Sequence, residues 1–132
     1  MIWPLFVIAG VVALVVVMQI MVLRRARGSE GRSAPDTTAI DGEAGNSRSR
    51  VYYFHAAHCG PCAAMTRVVT ELRETHRNLI TVDVATAPAL AREFGVVATP
   101  TFAQVEDGLI RRVRVGSLSK RQLLLLLQED TR

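Results

Sequence analysis

Val51-Tyr52-Tyr53-Phe54-His55-Ala56-Ala57-His58-Cys59-Gly60-Pro61-Cys62 runs from a strand signal straight into a pair of cysteines. Val51 to Phe54 is a continuous β-branched and aromatic run, suited to a strand buried on both faces. From Cys59 to Arg77 the period changes, and Met65, Val68, Val69 and Leu72 fall on one helical stripe. Cys59 therefore stands at a helix N-terminus, where unpaired N–H groups and the positive dipole end favour a thiolate. Cys62 returns to the same face one turn later, within reach of closing a disulfide. Gly60 permits close backbone approach, and Pro61 sets φ in the first turn, where its missing N–H costs nothing. The chemistry that suits this arrangement is exchange: the outer sulfur attacks a disulfide and the inner one displaces the product.

Downstream, Leu79 to Val84 reads as a second strand and Pro88 to Phe94 as a short helix closed by Gly95. Thr101–Val105 and Ile110–Val115 form a hairpin around Glu106-Asp107-Gly108. A last helix opens near Ser117 or Ser119, either of which can cap it. The order strand, helix, strand, helix, strand, strand, helix predicts an α/β domain, a central sheet with helices on its faces. Val96-Val97-Ala98-Thr99-Pro100-Thr101 puts a proline at a strand entry. A cis Thr99–Pro100 bond there would lie beside the disulfide and offer the Thr99 backbone to an extended substrate. The alternative is an ordinary trans loop proline.

Upstream, Leu5 to Leu23 is apolar except for Gln19. As a helix it spans roughly 29 Å, against a hydrocarbon core of ~30 Å. Trp3 suits the headgroup level and Pro4 a first helical turn. The run exceeds a signal-peptide h-region and lacks a basic n-region and a small-x-small site, so a retained single-pass anchor over residues 1–24 is expected. Arg24, Arg25, Arg27 and Arg32 follow the span closely, while no cation precedes it. The positive-inside rule then predicts a domain facing the cytoplasm; the opposite, extracytoplasmic face is the alternative. Residues 25–49 are expected to be a flexible linker. From Ser29 to Ser49, Ile40 is the one large aliphatic residue, too little apolar surface to offset ordering entropy.

The 132 residues leave room for one small domain, residues 50–132, after the anchor and linker. Lys+Arg number 16 against 12 Asp+Glu, a net charge of +4 without a block of like charges, so nucleic acid is not an expected partner. Two cysteines exclude a multi-disulfide secreted scaffold.

With these motifs in place, the chain from about 51 to 130 resembles the thioredoxin family. The resemblance runs through Cys59-Gly60-Pro61-Cys62, Phe94-Gly95-Val96, Thr99-Pro100-Thr101-Phe102, Glu106-Asp107-Gly108 and Val115-Gly116-Ser117-Leu118-Ser119-Lys120. It implies a thioredoxin-like core, a mixed four-stranded sheet flanked by helices, and thiol–disulfide exchange on protein partners. It further implies Cys59 as nucleophile, Cys62 as resolving thiol, Pro100 as a cis proline and Gly116 as the facing loop. His58, Gly60, Pro61, Thr99, Pro100 and Gly116 would then form the substrate groove. No cofactor beyond the Cys59–Cys62 disulfide is implied; electrons would come from a thioredoxin reductase or, on the outer face, from a membrane electron donor.

The chain departs from that pattern at three places. His58 stands where the family usually has Trp, Tyr53 where it has a buried acid, and Thr81 where that acid's lysine partner would be. The family's first strand and helix have no counterpart, which leaves Leu79–Val84 as a potential sheet edge. As a cation beside Cys59, His58 would stabilise the thiolate; the plainer reading is an exposed imidazole without an electrostatic role. His55 is expected to pack near the strand end, and His76 to be a solvated side chain late in its helix.

Two other functional classes remain open to the sequence. His55, His58, Cys59 and Cys62 are all metal-capable, which suggests a zinc or copper carrier. The other is a redox-inert interaction module held at the membrane. Leu123 to Leu127, five leucines in a row, exceeds what one buried helix face needs.

Overall fold

A computed structural model describes residues 1–128, together with the backbone but not the side chains of Ala26, Arg27 and Glu43. The predicted end of the domain, 129–132, lies outside the described residues. The elements are α1 (Trp3–Arg27), α2 (Thr38–Asp41), a 3-10 turn (Gly42–Asn46), β1 (Ser49–His55), α3 (Gly60–Arg73), β2 (Leu79–Asp83), α4 (Pro88–Glu93), β3 (Thr101–Glu106), β4 (Leu109–Val115) and α5 (Lys120–Gln128).

The sheet has the order β2-β1-β3-β4, with β1 parallel to β2 and the other pairs antiparallel. Strand β1 is central, which explains its unbroken apolar run. Tyr52 and Phe54 point into one core with Val82, Phe94, Val105 and Ile110. Val51 and Tyr53 point into the other, with Met65, Val69, Leu72, Phe102 and the leucines of α5. Period-two alternation thus feeds two apolar layers from one strand. The expected α/β class, strand order along the chain and edge position of β2 are all present.

The leucine run resolves into a normal buried stripe. Leu123, Leu126 and Leu127 are buried, Leu124 is half-buried, and Leu125 faces outward. Ser119 caps the helix: the Gln122 N–H donates to Ser119 Oγ at 3.2 Å, and the Ser119 N–H donates to Gln122 Oε1 at 2.9 Å. The β3–β4 turn uses Asp107 (φ 50°) and Gly108 (φ 77°), the positive-φ pair that suits a two-residue hairpin. Helix α3 stops at Arg73, four residues short of the expected Arg77. The Thr75 hydroxyl and the His76 N–H both turn to the Leu72 carbonyl, at 3.3 and 2.8 Å, closing the last turn. His76 therefore caps the helix rather than lying within it.

The expected flexible linker over 25–49 is a correction. Helix α1 runs on to Arg27, and the segment after it lies along the domain. The Gly31 and Ala34 N–H groups donate to the carbonyls of Ile110 and Gly108 at 2.6 and 2.8 Å, and the Ile110 N–H donates to the Arg32 carbonyl at 2.9 Å. These bonds cover the outer edge of β4, an edge a sheet otherwise leaves open to foreign strands. Further on, Thr37 and Asp41 are buried. The Tyr52 hydroxyl donates to Asp41 Oδ1 at 2.6 Å, Thr37 Oγ1 donates to Asp41 Oδ2 at 2.7 Å, and Arg50 pairs with Asp41 at 2.6 Å. Apolar content was the wrong measure for this segment, because backbone pairing and one buried carboxylate hold it.

Candidate functional site

The site is assembled where three loops meet at one end of the sheet. Strand β1 delivers Ala56 to Cys59, the loop before β3 delivers Val97 to Pro100, and the end of β4 delivers Gly116. Cys59 is the N-cap residue of α3, extended at φ −98° and ψ 109°, and Pro61 occupies the first turn. Cys59 and Cys62 form a disulfide with a Cα–Cα distance of 5.2 Å. Cys62 is buried and Cys59 half-buried, while His58, Gly60 and Pro61 around it are exposed. Of the two sulfurs, that of Cys59 is the one a macromolecule can reach.

The second loop closes over this sulfur. Thr99–Pro100 is cis, and Cys59 Sγ lies 3.5 Å from the Thr99 carbonyl oxygen. That approach becomes a hydrogen bond once the sulfur is reduced to a thiol. The Thr101 hydroxyl donates to the Ala98 carbonyl at 2.6 Å and holds the loop's base. Gly116, at φ 98°, donates its N–H to the Pro100 carbonyl at 2.8 Å, which joins the third loop to the second. Cys59, Cys62, Thr99, Pro100 and Gly116 are therefore brought together. His58 lies exposed on the rim.

Beneath the disulfide lies Tyr53, whose role the sequence did not signal. Its hydroxyl donates to the Cys62 carbonyl at 3.1 Å and shares a second 3.1 Å hydrogen bond with Thr66 Oγ1. Its ring stacks on Phe102 and on His55, with centroids 5.0 and 5.4 Å apart. Burial pushes the Tyr53 phenol above its ordinary value, and the Thr66 bond partly opposes this. Thr81 is its register partner on β2. Two neutral hydroxyl residues thus stand opposite each other in the register. His55 is spent on stacking, and among the described residues no three His, Cys, Asp or Glu side chains are grouped to hold a metal ion.

Comparison with known proteins agrees with this geometry. The sequence profile described as Thioredoxin matches residues 40–129. A bifunctional thioredoxin reductase/thioredoxin of Mycobacterium leprae (strain TN) is 40% identical over 74 residues, covering 54% of this chain and 16% of that protein. The match to thioredoxin Y2 of Arabidopsis thaliana covers 44% of that protein, so the chain spans less than half the length of these two relatives. A thioredoxin of Mycolicibacterium smegmatis is 34% identical over 90 residues, 64% of this chain and 80% of that protein. Among solved structures, a mutant thioredoxin from Halobacterium salinarum NRC-1 superposes with a TM-score of 0.64 at 28% identity, covering 76% of this chain and 88% of that one. Mitochondrial thioredoxin 3 of Saccharomyces cerevisiae, in its oxidised form, shares the fold with a TM-score of 0.57 at 24% identity, covering 79% and 98%. By profile, by relatives and by backbone, the chain belongs to the thioredoxin family.

Proposed function

We propose that this chain is a membrane-anchored thiol–disulfide oxidoreductase acting on protein disulfides. The observation that carries the reading is a disulfide with one reachable and one buried sulfur, set at a helix N-terminus beside the Thr99 carbonyl. In the reduced protein, the Cys59 thiolate attacks one sulfur of a client disulfide. A Cys59–client bond forms, the client S–S bond breaks, and one client thiolate leaves and takes up a proton. The Cys62 thiol, having lost its proton, then attacks Cys59 Sγ, closes the Cys59–Cys62 bond and releases the second client thiolate. Two electrons pass to the client, and a dithiol or a flavoprotein reductase must return them. No bound cofactor enters these steps.

His58, Gly60, Pro61, Thr99, Pro100 and Gly116 form the client groove in this reading. Exposed His58, Gly60 and Pro61 around a half-buried sulfur support a macromolecular client rather than an enclosed small molecule. A thioredoxin reductase is the proposed electron source, in keeping with the M. leprae relative that joins both activities in its name. Residues 1–24 serve as anchor and 50–132 as the exchange domain. Trp3–Arg25 has a mean hydropathy of 2.9 and is unburied, which supports a membrane span. The cluster Arg24, Arg25 and Arg32 at its C-terminal end supports a domain on the cytoplasmic side.

The full-length protein in detergent, supplied with dithiothreitol, is expected to accelerate insulin reduction. Cys59→Ser should be inactive, and Cys62→Ser should stall as a mixed disulfide. A wild-type rate equal to dithiothreitol alone overturns the reading. A reporter fused after Arg132 tests the sidedness.

A further inference from the structure

The end of α1 packs against the loop that carries the exchange site. Gly95 has φ +74°, and a Cβ built there would land 2.0 Å from Ser29 Oγ and 3.9 Å from the Arg25 carbonyl. The chain leaving α1 is thus seated directly on Gly95. Two residues on, Val97 is 43% exposed and lines a cleft of about 780 Å³ with Met18, Met21, Val22, Arg24 and Arg25. Met18, Met21 and Val22 belong to the apolar span itself. Val97 therefore stands level with the last turns of the span. From Val97 to Thr99, whose carbonyl lies against Cys59 Sγ, is at most about 7 Å of chain.

The chemistry of the loops agrees. Residues 55–62, 95–100 and 115–118 contain no Asp, Glu, Lys or Arg. The charged residues of the cleft lining are Arg24 and Arg25, at the end of the apolar span, the level at which lipid phosphates are found. An exposed valine and two methionines make a soft apolar lining that adapts to varied side chains.

We infer that the preferred clients are membrane proteins whose disulfide lies at the lipid–water boundary, with the end of a client transmembrane segment seated in the cleft between α1 and Val97. The continuity of the cleft with the span selects this occupant over a soluble protein. The inference rests on the oxidoreductase reading, and the bond changes are those given above.

The test uses full-length protein in vesicles of phosphatidylcholine and phosphatidylglycerol, with dithiothreitol as reductant. Two single-span peptides serve as clients, one with its disulfide at the headgroup level and one with the same disulfide loop set about 30 residues away. The boundary peptide should be reduced at least about tenfold faster, a margin below the roughly 100-fold or more that holding two partners together can supply. Inserting a twelve-residue Gly/Ser spacer after Gly28 should erase that preference while insulin reduction persists. Equal rates for the two peptides, or a preference that survives the spacer, overturn the inference while leaving the oxidoreductase reading intact. Loss of insulin reduction in the wild type overturns both.

Discussion

The Tyr53 hydroxyl reaches across from β1 to hydrogen-bond the Cys62 carbonyl at 3.1 Å, tying the central strand to the first turn that carries the buried sulfur. A carboxylate at this place could shuttle the Cys62 proton. A phenol held above its ordinary value by burial stays neutral and can only position the turn. Tyr53→Phe should therefore cost about 1 kcal/mol, the net worth of a typical buried hydrogen bond. It should leave the rate of Cys59 alkylation unchanged. Urea unfolding and iodoacetamide kinetics check the two halves; a large fall in alkylation rate would show that the hydroxyl does more than position.

His58 immediately precedes Cys59 and is exposed. If its cation helps hold the thiolate, His58→Phe raises the pH at which Cys59 alkylates, and His58→Lys does not. Titrating the alkylation rate against pH in all three proteins measures this. Identical midpoints in wild type and His58→Phe would leave the imidazole without an electrostatic part.

The Tyr52 phenol is pushed up strongly, first by burial and then by its bond to Asp41. Below an ordinary tyrosine value near 10, folded and unfolded chains both hold this proton, and the full contribution is present. Above it the unfolded chain releases the proton first, so the folded state binds more and stability falls as pH rises. Wild type should lose stability from about pH 10 upward. Tyr52→Phe should be less stable at pH 7 by about 1–3 kcal/mol, since Asp41 loses a buried donor. Its alkaline slope should be shallower, and urea midpoints between pH 7 and 11 read both effects.

Much of this was legible because the informative residues act locally. The Val51–Phe54 run, the cysteine spacing and the Asp107-Gly108 turn each state their geometry within a few positions, and the sheet follows from their order. The strap over 29–47 was not legible, because Asp41 acts through Tyr52 and Arg50, and Gly31 through Ile110, pairings that no periodicity announces. Tyr53 was visible as a departure from the family, but its bond to Cys62 depends on where α3 begins relative to β1. The approach of α1 to Val97 joins parts of the chain more than seventy positions apart, which no local pattern announces.

The seat of Ser29 on Gly95 makes a separable prediction. Gly95→Ala meets two obstacles: a positive φ that costs a side chain roughly 1–2 kcal/mol, and the collision with Ser29 Oγ. Ser29→Gly removes the second obstacle and not the first. In a double-mutant cycle, Gly95→Ala should therefore destabilise more in the wild-type background than in Ser29→Gly, with a coupling of about 0.5–3 kcal/mol. Denaturant titration of the four proteins gives that number. A coupling near zero would mean that Ser29 does not rest on Gly95, and the route from the apolar helix α1 to the loop over 97–100 would lose its first contact.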